Sequence, residues 1–430
     1  MEHTADSLVE AQPDKKPSLF ANEGFRNLWI GQMISQFGDV LHALVFLWMI
    51  LEVTGDPNKM GIVGAFEALP PIVFAVHAGV WADRHDRKKI LVWMDWLSMS
   101  LVIGFAFLVY GVKTPSLPVV CAFAFALKSM SAFAMPARSA ALPRLVPANQ
   151  LVQATALNST LQSVMPLIGN ALSALVLQVI FALSKTMTYF VTFLFNGATF
   201  FVSALFMLRL PSLIPEREGE RKSTWNEMKE GIHFIRDVPF LRVAIALSVS
   251  LNFFVAPFMP TCVVVTKQRF NSEPSVLALL EVGFFLGMAV GSMLTMKAKI
   301  KRVGIAFSAF LSLASLMMIP MGYTHSPLVF GIMNFLCGLC IPPAAIPINT
   351  LTQLKTPDAL RGRVNSALSM ASMMVMPIGM ALSGVLLKYL GITGTFWYMV
   401  LGLLVPSLLG LLNRDFRMAL MEGEMQTAGE

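Results

Sequence analysis

The sequence predicts an all-α membrane protein with twelve transmembrane helices in two pseudo-symmetric halves of six. Three observations lead to this fold class: the composition, the length of the uncharged segments, and short motifs that recur at half the chain length. Of the 430 residues, 56% are hydrophobic and 13% are charged, whereas a soluble protein carries about 25% charged residues. This composition excludes a cytosolic enzyme, a nucleic-acid-binding module, a disordered chain and a secreted disulfide scaffold.

The uncharged segments define the helices, since a membrane helix needs about 20 apolar residues. Segments 145–184 and 303–354 contain no Asp, Glu, Lys or Arg, and the second must turn near 322–327, where Gly, Ser and Pro cluster. Division at such signals predicts twelve helices: 26–52, 58–82, 88–111, 116–142, 149–182, 187–209, 240–267, 274–297, 302–322, 327–354, 359–389 and 393–413.

The polar stretch between helices 6 and 7 separates the halves. Its Trp225, Met228, Ile232 and Ile235 recur at helical spacing, which predicts an amphipathic helix on the membrane surface; a plain linker is the alternative. The predicted organisation is a cytoplasmic tail at 1–24, an N-terminal half at 25–209, a cytoplasmic linker with this helix at 210–239, a C-terminal half at 240–415 and a second cytoplasmic tail at 416–430.

The basic residues predict the orientation. With both termini on one side, that side holds 25 of the 32 Lys and Arg residues and the other side holds 6. Basic loops remain cytoplasmic, so we expect both termini inside and an even number of spans. The tail at 1–24 has no apolar segment with a cleavage site, so no removable signal peptide is expected.

Repeated motifs predict the internal symmetry. Asn158-Ser159 recurs 207 residues later as Asn365-Ser366, and Met165-Pro166 recurs 211 residues later as Met376-Pro377. Helix 5 therefore resembles helix 11. Two parallel halves of this kind enclose a central cavity near the membrane midplane. The sequence predicts no metal site and no cofactor, because Cys337 and Cys340 have no acidic or His neighbours within ten residues.

Charged side chains inside the membrane are costly, so each one is a candidate functional residue. The residues singled out are Asp39, Glu67, Lys128 and Glu281, with Gln32 and Gln36 on the same face of helix 1 as Asp39. Burial favours the protonated form of a carboxylic acid and a nearby cation favours the ionised form. An acid in a cavity that opens alternately to each side can therefore carry a proton. The alternative is a static ion pair, such as Asp39 with Lys128.

The loop between helices 2 and 3 reads Gly79-Val-Trp-Ala-Asp83-Arg84-His-Asp86-Arg87-Lys88-Lys89. It resembles the inner-loop signature of the major facilitator superfamily, with Asp86 in place of the usual Gly. The segment 136–147 is similar to the helix 4–5 loop of the macrolide-efflux and enterobactin-exporter branch. The resemblance implies that Asp83 latches the inner gate against helix 11, with Arg84 and Arg87 as charge partners and with Gly79 and Lys88 in the same inner-gate motif; a loop that only sets topology is the alternative. It also places four basic residues in the helix 4–5 and 10–11 loops: Arg138, Arg144, Arg361 and Arg363.

The resemblance implies a monomeric secondary transporter, not an enzyme, in a bacterial inner membrane. Its expected partners are a small-molecule substrate, protons and membrane lipids, without nucleic acid. The expected activity is proton-coupled export of an amphiphilic compound such as a drug or a siderophore. A transporter of lysophospholipids or other lipids, and a non-transporting receptor or scaffold, are the alternatives.

Overall fold

The computed structural model describes residues 19–112, 114–181, 184–215, 224–298, 300–357 and 360–421. Most of both predicted tails and residues 216–223 of the predicted linker lie outside these ranges. Nearly all of the described chain is helical, and its β-structure is an isolated bridge between Arg302 and Leu420.

The N-terminal half contains eight helices in chain order. They are α1 (Glu23–Thr54), α2 (Pro57–Ala68), α3 (Pro70–Val73), α4 (Ala75–Arg84), α5 (Arg87–Val112), α6 (Leu117–Leu145), α7 (Leu151–Phe181) and α8 (Lys185–Leu208). The remaining helices are α9 (Thr224–Asp237), α10 (Pro239–Val255), α11 (Phe258–Val264), α12 (Pro274–Lys297), α13 (Val303–Tyr323), α14 (Pro327–Lys355), α15 (Arg361–Met374), α16 (Met376–Tyr389), α17 (Gly391–Gly410) and α18 (Arg414–Arg417). A π-helical segment, Val265–Arg269, continues α11.

The predicted twelve-helix fold is confirmed. Within the described ranges, eleven helical segments are long and apolar enough to cross a membrane, and a pair bent by 49°, Pro57–Val73 with His77–Arg84, makes the twelfth. The bend lies between Val73 and His77, and the regular helix is also interrupted at Leu69, where Pro70 and Pro71 have no backbone N–H to continue the helical hydrogen bonds. The described part of the predicted linker contains α9.

Prolines act differently in the two related helices. In α7, Pro166 lies inside one continuous helix, whereas the matching Pro377 lies in the first turn of α16, where Val375 separates α15 from α16. The repeat in the sequence therefore predicts the position of equivalent helices but not their local bending.

Glycines allow α12 and α14 of the C-terminal half to pack closely together. A Cβ atom at Gly287 would lie 2.1 Å from the Phe335 carbonyl oxygen, and one at Gly291 would lie 2.4 Å from the Leu339 carbonyl oxygen. Small residues on one face let membrane helices approach at backbone distance. The van der Waals contact along this stripe therefore depends on the absence of side chains.

We expect Gly287→Ala to destabilise the protein by about 1–3 kcal/mol, because the new methyl group forces α12 and α14 apart. The measurement is thermal unfolding of the purified protein in detergent. Gly104→Ala on α5 is the matched control, since a Cβ atom there meets nothing within 4 Å; it should be neutral or slightly stabilising. Equal behaviour of the two variants would contradict the role of the stripe.

The two halves meet mainly through two helix pairs, α2 with α16 and α7 with α12. We name the side that carries residues 19 and 421 the terminal side, and the other the opposite side. Near the opposite side, α2 packs along α16, and a Cβ atom at Gly61 would lie 2.8 Å from the Gly384 nitrogen. Near the terminal side, α4 packs on α6 of its own half, and α15 packs on α9. The helices of the N-terminal half thus leave room for a cavity near the terminal side.

Candidate functional site

A cavity of about 500 Å³ lies within the N-terminal half, toward the terminal side. It is lined by α1, α5, α6, α7 and α8. Its polar lining consists of Gln32, Ser35, Gln36, Asp39, Asp95, Ser98, Ser131, Arg138, Ser139, Asn158 and Gln162. Its apolar lining includes four methionines, Met94, Met130, Met135 and Met165. The cavity therefore combines charges, amides and adaptable apolar side chains in one space.

Helix α1 supplies the polar stripe that the sequence predicts. Gln32, Gln36 and Asp39 all line the cavity, since spacings of three and four residues place them on one helical face. The Oε1 atom of Gln36 is buried and has no hydrogen-bond partner, so it remains available to a ligand. Gly38 lets α8 approach beside Asp39, because a Cβ atom there would lie 2.1 Å from Thr199 Oγ1.

Asp95 on α5 is a second carboxylate in this cavity, and the sequence analysis missed it. Its side chain is 4% exposed and accepts a hydrogen bond of 2.6 Å from Ser203 Oγ. It lies about two turns from Arg87, where α5 begins, and inside the predicted helix 88–111. The available signal was an acidic residue inside the otherwise apolar segment 90–112.

Arg138 lies inside α6 and lines the cavity, so its assignment to the helix 4–5 loop is wrong. Pro143 does not end this helix, which continues to Leu145. Arg138 lies within electrostatic range of both Asp39 and Asp95, and its Nε atom has no hydrogen-bond partner. The cavity lining therefore holds two carboxylates and one guanidinium group, which leaves an excess of one negative charge in the lining when both acids are ionised.

Glu67 and Lys128 form an ion pair. Their Oε1 and Nζ atoms are 3.6 Å apart, between α2 and α6. The static pair considered from the sequence, Asp39 with Lys128, is therefore replaced by Glu67 with Lys128, although Lys128 still lies within electrostatic range of Asp39. Neither Glu67 nor Lys128 is among the residues lining the cavity.

Glu281 is not brought together with the other predicted charges. It lies on α12 in the C-terminal half, is 8% exposed, and does not line the cavity. Its Oε1 atom has no hydrogen-bond partner.

The loop between α4 and α5 is held by Asp86, the residue that departs from the family signature. Its carboxylate accepts hydrogen bonds of 2.9 Å from the Leu213 backbone N–H and from Ser212 Oγ, and it also accepts one from the Lys88 backbone N–H at 3.0 Å. Arg87 is buried and donates from Nη1 to the Ala140 carbonyl at 3.1 Å. The Asp86 carboxylate therefore connects the loop between α4 and α5 to the segment that follows α8.

The other members of the signature lie at the surface of α4. Asp83 and Arg84 are exposed, and Gly79 is half-buried with open space where a Cβ atom would be. Helix α4 packs along α6. The expected contact of Asp83 with helix 11 stays a prediction.

The remaining basic residues also lie in helices rather than loops. Arg144 is exposed in the last turn of α6, and Arg361 and Arg363 are in the first turn of α15. Arg361 donates from Nε to the Gln353 carbonyl at 3.1 Å, and Arg363 forms an ion pair with Glu230 of α9. These contacts connect α15 to its neighbours on the terminal side.

An ion pair joins the halves on the opposite side. Lys267 Nζ lies 2.5 Å from Glu52 Oε2 and 5.9 Å from the centre of the Trp48 ring. Glu52 and Trp48 belong to α1, whereas Lys267 belongs to the π-helical segment after α11. This contact closes the N-terminal half against the C-terminal half.

We expect Lys267→Gln to destabilise the closed arrangement of the two halves by about 1 kcal/mol. The population that is open to the opposite side should then rise about fivefold. The measurement is the rate at which a membrane-impermeant thiol reagent, added on the opposite side, labels Ala43→Cys in the cavity. The charge-swapped variant Glu52→Lys with Lys267→Glu should restore slow labelling. Unchanged labelling in Lys267→Gln would show that the pair does not contribute to closure.

Comparisons with known proteins agree with this fold. A family model described as Major Facilitator Superfamily matches residues 28–379. Macrolide efflux protein A of Streptococcus pyogenes is 25% identical over 89% of this chain and 93% of its own length. Multidrug efflux pump Tap of Mycolicibacterium fortuitum is 25% identical over 86% of this chain and 90% of its own.

Solved structures share the architecture at low sequence identity. The crystal structure of a bacterial homologue of the human lysosomal transporter Spinster has a TM-score of 0.67 and 13% identity, and the match covers 93% of this chain and 97% of that one. This likeness concerns the fold alone. The family model matches more than half of the chain, and the described ranges contain at least eleven helices long and apolar enough to cross a membrane, so the chain is an integral membrane protein that belongs to the major facilitator superfamily of transporters.

Proposed function

We propose that the protein is a proton-coupled exporter of amphiphilic small molecules, working as a monomer by alternating access. In this proposal, segments 25–209 and 240–415 are the two moving halves. The terminal side faces the cytoplasm of a bacterial cell, and the protein lies in the inner membrane, as the distribution of basic residues predicts.

The observation that carries the proposal is the cavity that contains Asp39, Asp95 and Arg138. Four methionines supply a flexible apolar wall that suits varied apolar groups, and amides supply hydrogen bonds. The excess negative charge favours a cargo with a basic or cationic group. An amphiphilic cation, such as a basic drug, therefore fits better than an anionic siderophore. The relatives named for macrolide and multidrug efflux support this choice.

Asp39 is the proposed proton carrier, since it faces the cavity within electrostatic range of two cations, Lys128 and Arg138. Opening to the outside exposes Asp39 to a proton, and a protonated Asp39 no longer attracts a cationic cargo. Opening to the cytoplasm lets the proton leave, which restores the attraction. Because Asp39 holds either a proton or the cationic cargo, proton entry is coupled to cargo export. Glu67 remains a second candidate proton carrier, because it pairs with Lys128, which also lies within electrostatic range of Asp39.

The activity test uses the purified protein in liposomes. A pH gradient is imposed, and the uptake of a macrolide, of the cationic dye ethidium and of a lysophospholipid is compared with that of protein-free liposomes. We expect gradient-dependent transport of the first two compounds. Transport of the lysophospholipid alone would replace the proposal with the lipid transporter. Absence of transport for every compound would favour the receptor or scaffold.

A further inference from the structure

Five buried side-chain oxygen atoms in the described part of the C-terminal half have no hydrogen-bond partner, and three of them lie on α12 and on two segments that pack against it. These three are Glu281 Oε1 on α12, Asn334 Oδ1 on α14 and Thr266 Oγ1 on the π-helical segment. Thr266 and Asn334 are fully buried, and Glu281 is 8% exposed. Buried polar atoms almost always have a partner, so three without one in the same region indicate a shared ligand.

The contacts between the segments place these residues at one depth in the membrane. Asn334 donates from Nδ2 to the carbonyl oxygen of Leu280, the residue before Glu281, at 2.8 Å. The rings of Phe270 and Phe330 meet at 5.7 Å between centres. The π-helical segment and α14 run in opposite directions. Thr266 lies one turn from Phe270 toward the terminal side, and Asn334 lies one turn from Phe330 toward the same side.

The carboxylate of Glu281 faces the same space. Cys262, one turn from Thr266, lies within electrostatic range of both Glu281 and Cys337, and Cys337 lies one turn beyond Asn334. Cys262 is therefore a titratable group within electrostatic range of the carboxylate, and Cys337 is its neighbour. Neither carries a positive charge, and the described part of the chain places no basic side chain at ion-pair distance from Glu281.

We propose that Glu281, Asn334 and Thr266 bind one Na⁺ ion. A carboxylate, an amide carbonyl and a hydroxyl group are all hard oxygen ligands. The single negative charge matches a monovalent cation, whereas a divalent ion would leave a positive charge among apolar helices. A proton on Glu281 would supply a single additional donor, whereas one ion can contact all three oxygens at once. The adjoining π-helical segment adds backbone carbonyls outside the regular α-helical pattern, as in the discontinuous helices that coordinate Na⁺ in other transporters.

The test is the thermal stability of the full-length purified protein in detergent, with no substrate and at constant ionic strength. Na⁺, K⁺ and choline are compared as chlorides at pH 8. We expect a saturable rise in Tm with Na⁺ alone, because a ligand that binds only the folded state stabilises it. Glu281→Gln should abolish the rise. Thr266→Val should raise the half-saturating Na⁺ concentration about tenfold, since one ligand oxygen is lost.

Glu273→Gln is the matched control, because this residue is exposed at the start of the same helix; it should keep the full Na⁺ response. Should Glu281→Gln fail to fold, the shift in Thr266→Val decides the question. Equal Tm in the three salts, or a saturable Na⁺ response that survives in Glu281→Gln, would overturn the site. Neither result involves transport, so either one leaves proton-coupled export through Asp39 untouched.

Discussion

Asp39→Asn should abolish proton-driven transport, with a loss of at least about 100-fold, while the protein still folds and reaches the membrane. The amide has the size of the carboxylate but cannot bind and release a proton, so no step of the cycle depends on pH any longer. The measurement is uptake of a cationic substrate into inverted vesicles under an imposed pH gradient. Full proton-driven uptake by this variant would remove Asp39 from the mechanism.

A second readout separates coupling from damage to the cavity. In substrate counterflow, no pH gradient is needed, so Asp39→Asn should retain exchange of labelled for unlabelled substrate. Asp237→Asn is the matched control, since that side chain is exposed at the end of α9; it should keep both activities. Loss of counterflow together with uptake would assign Asp39 to substrate binding or folding rather than to coupling.

The sequence predicts the fold well because the membrane restricts it strongly. A segment in lipid must satisfy its own backbone hydrogen bonds, so each long apolar run becomes a helix. The predicted range 149–182, for example, is α7 at Leu151–Phe181. The helix breaks are harder to predict, because Pro70 interrupts one span whereas Pro166 does not interrupt another.

The cavity could be predicted only in part. The stripe of Gln32, Gln36 and Asp39 follows from helical spacing within one segment. Asp95 and Arg138 enter the same cavity through α5 and α6, and no local pattern shows that two distant segments face each other. Arg138 also counts among the basic residues predicted for the inner loops, which set the topology. Only the packing of the helices shows that these residues share one electrostatic environment with Asp39.

The guanidinium group of Arg138 leads to the second prediction. Arg138→Gln leaves Asp39 and Asp95 in one cavity without their common cation. Loss of one partner from a fully buried charge pair costs about 3–5 kcal/mol, and we expect about 1–3 kcal/mol here, because Arg138 is only half-buried. The measurement is thermal unfolding in detergent. The loss should be larger at pH 8 than at pH 5, since protonation of either acid relieves the repulsion between them.

A double variant tests whether this loss comes from charge rather than from a missing side chain. Asp95→Asn in the Arg138→Gln background removes the repulsion but does not restore any packing, so it should recover most of the stability at pH 8. Arg242→Gln, at an exposed position of α10, is the control and should change Tm little at either pH. If Arg138→Gln is equally destabilising at both pH values and Asp95→Asn gives no recovery, Arg138 acts by packing alone, and the cavity does not hold two coupled carboxylates.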